Sequence, residues 1–372
     1  MCQTQNKRGN EMETMKIKYW GVRGSVPTPL TTEEIREKQI ALIKELFQNK
    51  KSSRVCNFGG EFTEDNARAF LDNLPLSITG TYGGDTTCIE VQAKDTPLIV
   101  IDAGTGAKNL GKTLAGRLFS KGDLNPLNND AATAKDIHMP LTHYHWDHIQ
   151  GLPFCTPLFI HGDKKVNVHF YGRKGAQQQL SDVLRGQQTC PNFPVAWEDM
   201  PCNKYYHELG RLAPEAIAIG KARVTYTELT HPDAVFAYAI EVEDKKFVCA
   251  TDTEHKDRPD PRLVKLAKNA NILYYDAQYT PEEYEGKPGT LTGAMPKFDW
   301  GHSTYEWAVK NALTANVQIV VLGHIEPVRN DFQVEELLAR ALQYRDDQLK
   351  LPEYSGKRLE VVMGKQGLEQ IL

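Results

Sequence analysis

Thr142-His143-Tyr144-His145-Trp146-Asp147-His148 places three imidazoles and a carboxylate within six consecutive positions. The apolar Met139-Pro140-Leu141 precedes it and Ile149-Gln150-Gly151-Leu152-Pro153 follows. Imidazole and carboxylate together suit Zn²⁺, Mn²⁺ or Fe²⁺. On an extended segment alternate side chains share a face, so His143 and His145 point the same way. A turn at Trp146 then lets Asp147 and His148 reach a second ion a few ångströms off. Two ions about 3.5–4 Å apart can hold both oxygens of a reacting ester.

One segment cannot supply two ions, and the chain offers further ligands where apolar strands become polar loops. His231 follows Val224–Leu229, Asp252 follows Phe247–Ala250, and His324 follows Ile319–Leu322. Around them the pattern alternates between strand and helix. Strands are expected at Lys16–Trp20, Thr86–Val91, Leu98–Ile101, Val166–Tyr171, Val224–Leu229, Ala234–Val242, Lys246–Ala250, Asn271–Tyr275 and Val317–Leu322, with Arg358–Val362 as a closing strand. Helices are expected at Ala107–Phe119, Gly175–Leu184, Arg262–Lys268, Thr304–Leu313 and Phe332–Leu349. Such an order predicts sheets with helices on their outer sides. Thr31–Phe47, opened by the capping box Thr31-x-x-Glu34, and Thr63–Leu74 read as inserted helices. Those helices serve as a lid, a homodimer surface or ordinary packing. Residues 120–135 read as a loop.

The whole chain narrows the classes. With 372 residues, 40% of them hydrophobic and 25% charged, it can bury a sizeable core. A net charge of −4 gives no global basic field to gather nucleic acid. No run of 18 apolar residues appears, so no membrane span is expected. The polar start Met1-Cys2-Gln3-Thr4-Gln5-Asn6-Lys7-Arg8 lacks a signal-peptide core, and the cytoplasm is the expected compartment. Residues 1–14 are expected to form a disordered tail ahead of a domain spanning 15–372 with a helical insertion at about 30–79. Seven scattered cysteines without a CxxC pair point to neither a disulfide framework nor a zinc finger.

From about Met15 to Leu372, the insertion apart, the chain resembles the metallo-β-lactamase-fold hydrolases. More narrowly it resembles their phosphodiesterase-like branch of cyclic-nucleotide and cyclic-phosphate phosphodiesterases and the tRNA 3′-end processing nuclease. The resemblance rests on His143-x-His145-x-Asp147-His148, His231, Asp252 and His324. It extends to Gly21-Val22-Arg23-Gly24-Ser25, Tyr82-Gly83-Gly84-Asp85-Thr86-Thr87-Cys88, Asp102-Ala103-Gly104-Thr105-Gly106 and Pro191-Asn192-Phe193-Pro194-Val195. It implies an α+β fold, a four-layer αββα sandwich with the metal cluster at one edge. It also implies two divalent ions, zinc or manganese, one on His143, His145 and His231 and the other on Asp147, His148 and His324. Asp252 and a hydroxide would bridge them. Asp102, by the same resemblance, supports the cluster from behind, and Asp85 is a candidate for the same task. Arg23 either approaches a phosphate or is solvated in its turn.

Two residues sort the branches. Zinc β-lactamases of the commonest type carry a cysteine at the Asp252 position, whereas Cys249 comes three residues early, which disfavours a β-lactam substrate. His302, in Asp299-Trp300-Gly301-His302-Ser303-Thr304, reads either as the neighbour of a helix cap or as a substrate-side histidine. In the second reading it protonates a leaving alkoxide or grips a phosphate oxygen. The phosphodiesterase branch has a histidine in a similar place. Asp147 and His302 are therefore the expected catalytic residues, and His138, His161, His169, His207 and His255 the structural ones. The expected activity is hydrolysis of a small phosphodiester, such as a cyclic nucleotide or cyclic phosphate. Alternatives are a nuclease at RNA or DNA ends, a glyoxalase-like thioester or lactone hydrolase, and a non-catalytic metal-bound protein.

Overall fold

The computed structural model describes residues 14–49, 63–175, 178–211 and 216–372. Its fourteen strands form two seven-stranded sheets. The first contains β1 (Met15–Gly21), β2 (Cys88–Ala93), β3 (Leu98–Ile101), β4 (Asp136–Pro140), β5 (Asn167–Arg173), β6 (Asn203–Leu209) and β14 (Glu369–Ile371), in the order β14-β1-β2-β3-β4-β5-β6. The second contains β7 (Ile217–Ile219), β8 (Ala222–Leu229), β9 (Val235–Val242), β10 (Lys245–Ala250), β11 (Ile272–Asp276), β12 (Ile319–Gly323) and β13 (Glu360–Met363), in reverse chain order from β13 to β7.

The helices are α1 (Thr32–Asn49), α2 (Glu64–Asp72), α3 (Leu76–Thr79), α4 (Ala107–Ser120), α5 (Trp146–Ile149), α6 (Leu180–Gln187), α7 (Pro261–Ala267), α8 (Pro281–Tyr284), α9 (Tyr305–Thr314) and α10 (Asp331–Gln348). Packing follows the apolar pattern. Ile17, Tyr19, Val91 and Ile101 of the first sheet share one core with Tyr238, Ile240, Val248 and Tyr274 of the second, and α7, α9 and α10 extend it. On the other face of the first sheet, Val100, Met139, Val168 and Phe170 pack with Leu110 and Leu114 of α4. Two sheets face to face with helices outside give the expected four-layer αββα arrangement.

The strand expectations miss β4, inside the first sheet, and β7, at the edge of the second, and they fail at both ends of the first sheet. β14, not the segment near Arg358, is the last strand, and it pairs antiparallel with β1. β6 was not expected at all. Its sequence Asn203-Lys204-Tyr205-Tyr206-His207-Glu208-Leu209 runs at the sheet edge with little buried, so no apolar alternation marks it. Helix α6 starts five residues later than the expected Gly175, and residues 176 and 177 lie outside the described ones. Residues 1–13 of the expected tail also lie outside them, whereas Thr14 is buried and its N–H bonds to Leu372 O at 3.1 Å. Among the described residues no helix is long and apolar enough to cross a membrane.

Candidate metal centre

The turns that follow β3, β4, β8, β10, β11 and β12 all deliver side chains to one cluster. β4 ends at Pro140, Thr142 leads out of it, and His145 is still extended (φ −61°, ψ 151°) before α5 starts at Trp146. The change from extended chain to helical turn separates the histidines from Asp147 and His148. Two groups of ligand-type atoms result, each within 4.8 Å: His143, His145 and His231, and Asp147, His148, Asp252 and His324. Asp252 Oδ2 connects them, 3.7 Å from His143 Nε2 and 3.1 Å from His324 Nε2. Asp102, Asp252 and His324 all adopt left-handed backbone, at φ 58°, 51° and 53°. That conformation is uncommon outside glycine and carries a strain cost at each of the three positions.

Hydrogen bonds behind the rings fix which nitrogen faces the cluster. His148 Nδ1–H donates to Asp102 Oδ2 at 2.7 Å, as a carboxylate can only accept. Thr142 Oγ1 also donates to Asp102, at 2.8 Å, and so accepts from His143 Nδ1 at 3.2 Å. His231 Nδ1 donates to Gly301 O at 3.1 Å. His324 Nδ1 donates to Gln278 Oε1 at 2.8 Å, and Gln278 Nε2 donates to Glu326. His145 is turned round: its Nε2 donates to Asp233 at 3.1 Å, leaving Nδ1 inward. In the neutral rings every inward nitrogen therefore carries a lone pair. His231 Nε2 and His145 Nδ1 oppose each other at 3.3 Å, and His148 Nε2 lies 3.2 Å from both Asp147 Oδ2 and Asp252 Oδ1. His143 Nε2 and His148 Nε2 are buried without a hydrogen-bond partner.

Acceptor facing acceptor in a buried cluster calls for positive charge, and these residues fit divalent cations. Without an ion, protons on the rings supply part of that charge. Burial alone would lower the His324 pKa, yet Asp252, Asp147 and Asp276 lift it to about 10. His148, despite complete burial, is likewise raised by Asp252, Asp147 and Asp102. Burial would raise the Asp147 carboxyl, but His148 and His324 beside it hold it well below the usual carboxylate range.

His302 lies beside the second group. Its ring stacks on His324 with centroids 4.7 Å apart, and its Nδ1 donates to Asp276 Oδ2 at 2.8 Å. Ser25 N–H donates to Asp147 Oδ2 at 2.9 Å, which accounts for the Gly21–Ser25 fragment. A cleft of about 620 Å³ opens next to the cluster, bordered by His143, Tyr144, His145, Arg173 and Asp233. Two expectations are corrected. Asp85 does not support the cluster: its carboxylate accepts from Asn109 and Gln366. Arg23 is neither solvated nor free for a phosphate, because its guanidinium is buried on Gly83 O, Glu326 O and Arg329 O. Sequence reasoning missed Asp276, Gln278, Asp233, Glu326 and Arg173. Asp276 and Arg173 end strands, the same signal that exposed Asp252. Of the residues read as structural, His138 and His169 also bring ligand-type atoms together with Asp136, but the two rings stack face to face at 4.4 Å and 4°, a ladder rather than a converging set.

Fold and cluster together are those of the metallo-β-lactamase fold, with side chains fit to hold metal. The sequence pattern of the family described as "Beta-lactamase superfamily domain" matches residues 98–325, which include all seven residues of the two groups, and the chain belongs to that superfamily. Ribonuclease BN of Cronobacter sakazakii is 30% identical over 247 residues, covering 54% of this chain and 74% of that protein. Ribonuclease Z of Staphylococcus carnosus is 23% identical over 164 residues, 43% of this chain, so the chain spans half (50%) of that relative's length. Among solved structures, unliganded yeast PDE1 superposes with a TM-score of 0.54 at 12% identity, covering 97% of this chain and 100% of that one.

Proposed function

We propose that this protein hydrolyses phosphodiesters with two divalent ions, zinc or manganese. In this reading His143, His145 and His231 hold one ion, Asp147, His148 and His324 hold the other, and Asp252 spans both. The observation that carries it is the set of lone pairs on five imidazoles, all but His145 buried, and two buried carboxylates, with Asp252 Oδ2 within 4 Å of a nitrogen from each group. Such an ion pair, when bound, supplies an activated water and neutralises charge developing on the phosphate. The chain's own residues supply what remains. Arg173 offers a cation in the adjoining cleft, and His302 offers a proton. Asp276 fixes His302 Nδ1–H, so Nε2 is the nitrogen available to the leaving oxygen. An alkoxide needs that proton, whereas a thiolate hardly does, which favours a phosphodiester over a thioester.

The cleft's volume falls in the range of small-molecule sites, roughly 300–1,000 Å³, and the net charge is −4. Both support a small diester, such as a cyclic nucleotide or cyclic phosphate, and the cytoplasm is the proposed compartment. A second reading, cleavage at RNA ends, is favoured by the relatives' names, both ribonucleases. One experiment tests the scheme. Metal-loaded wild type and His302→Ala are assayed on a cyclic nucleotide, a short RNA and bis-p-nitrophenyl phosphate, with metal counted by elemental analysis. Two ions per chain in both proteins are expected. The variant should lose about 10²–10⁴-fold on an alkoxide-leaving substrate and much less on the nitrophenyl ester. Equal losses on both would remove His302 as the acid. One tightly held ion in fully active protein would end the two-ion scheme.

A further inference from the structure

Each histidine of the cluster is backed by a carboxylate, directly or through one intermediate group. Asp102 backs His148, Asp276 backs His302 and Asp233 backs His145. Gln278 relays Glu326 to His324. His231 rests on a peptide carbonyl, that of Gly301, and the N–H of the same residue leads to a buried acid. Glu254 Oε2 accepts from Gly301 N at 3.2 Å, while Oε1 accepts from Asp299 N at 2.8 Å and Tyr284 Oη at 2.5 Å. Glu254 is 5% exposed, and its own N–H bonds to Thr230 O at 2.8 Å, next to His231.

We infer that Glu254 is a positioning residue that latches the segment between Tyr284 and His302 onto the metal centre and sets the orientation of His231. The segment leaves α8 at Tyr284 and returns at Asp299–Gly301, and one carboxylate holds both ends. Gly301 has φ 88°, and a Cβ there would collide with the His231 ring, so the returning chain lies directly against this histidine. Movement of Gly301 therefore moves the acceptor that fixes His231 Nδ1–H, and the next residue is His302. Three donors converge on the two oxygens of Glu254, whereas a glutamine has one acceptor oxygen and turns its N–H₂ towards the donors on the other side. Glu254→Gln keeps the shape and breaks the latch on one side.

The inference rests on His231 being a metal ligand, and the experiment separates the two ideas. Zinc affinity is measured by chelator competition on wild type, Glu254→Gln and Tyr284→Phe, and the metal-free proteins are exposed to trypsin. Lys297 is 5% exposed in the native fold, its ammonium lying over Trp300. Wild type should resist cleavage after Lys297, Glu254→Gln should be cut there, and Tyr284→Phe, which loses one donor of three, should fall between. Zinc affinity at one of the two sites should fall about 10–100-fold in Glu254→Gln, the usual scale for groups that orient metal-binding histidines. Wild-type affinity together with wild-type trypsin resistance in Glu254→Gln overturns the inference. Cleavage at Lys297 with unchanged affinity reduces Glu254 to a loop anchor and overturns its link to His231. A wild type that binds no zinc refutes the ligand reading, while the trypsin pattern still reports on the latch. If Glu254→Gln does not fold, Tyr284→Phe decides by the same two measurements.

Discussion

Asp102 shows how much of this site depends on groups that never reach the cluster. Its carboxylate is fully buried and accepts from Thr142 N, Thr142 Oγ1 and His148 Nδ1, all within 2.8 Å. Through Thr142 it also fixes His143. One acid thus sets the ring orientation of a histidine in each proposed ligand set. Burial raises its carboxyl pKa, against the pull of His148 and the Thr142 bonds. Asp102→Asn replaces an obligatory acceptor with an amide that can present a donor to His148 Nδ1. Zinc affinity should fall about 10–100-fold with little change in fold, measured by chelator competition and circular dichroism. Wild-type affinity in that variant would remove Asp102 from metal binding. The four closely spaced residues were legible because few side chains serve as ligands and their crowding is improbable. Asp276, Gln278 and Glu326 were not, because each acts through a histidine, and only strand register brings them behind it: β11 and β12 run parallel, with Asp276 opposite Gly323.

At the scale of elements, α1 illustrates a helix whose existence could be read but whose attachment could not. Its capping box forms as expected, with Thr31 N–H on Glu34 Oε2 at 2.8 Å and Glu34 N–H on Thr31 Oγ1 at 3.2 Å. The apolar stripe suggested the buried face, yet the one buried position among the helix residues whose burial is described is Lys38. Its ammonium reaches Asp331 Oδ2 at 2.7 Å, Ser77 O at 2.5 Å and Gly80 O at 2.8 Å. Asp331 opens α10 and is itself 1% exposed, so an ion pair ties α1 and α3 to the core helix that follows His324. Nothing in an amphipathic pattern predicts a lysine pointing inward, since its partner lies 293 positions away in the chain, between Lys38 and Asp331. Lys38→Met would leave the buried Asp331 with Arg23, 3.7 Å away, as its remaining cation, beside the bonds from Tyr82 N and Thr81 Oγ1. That should cost about 3–5 kcal/mol in urea unfolding. Arg68→Ala, breaking the exposed Glu64–Arg68 pair on α2, should cost under about 1 kcal/mol. Equal small losses would mean that α1 is an appendage on the fold.

For the whole molecule, the two sheets were legible through central strands buried on both faces, such as Val235-Phe236-Ala237-Tyr238-Ala239-Ile240 of β9. Strands β4 and β6 of the first sheet were not, because there the face turned towards the other sheet carries imidazoles and phenols in place of aliphatics. His138 of β4 stands opposite His169 of β5, and His169 opposite Tyr205 of β6. Tyr171 stacks on His207 at 4.4 Å, and its hydroxyl meets His138 Nδ1 at 2.8 Å. Burial, followed by the neighbouring His169 and His207, pushes the His138 pKa down to about 3. Below roughly pH 6.5 the unfolded chain therefore takes up a proton at this position that the folded chain refuses until about pH 3. Stability from His138 is fully present above that upper limit and is lost as pH falls through the window. The slope is about 1.4 kcal/mol per pH unit for one proton. His138→Gln can keep a bond to Tyr171 without titrating. Metal-free wild type and variant should be unfolded in urea between pH 5 and 6. The cluster histidines and carboxylates contribute alike to both proteins, so their difference isolates His138. The wild type should lose roughly 1 kcal/mol more than the variant across that unit of pH. Identical losses would show that His138 takes up its proton inside the folded ladder, and the ladder would then be no source of acid sensitivity.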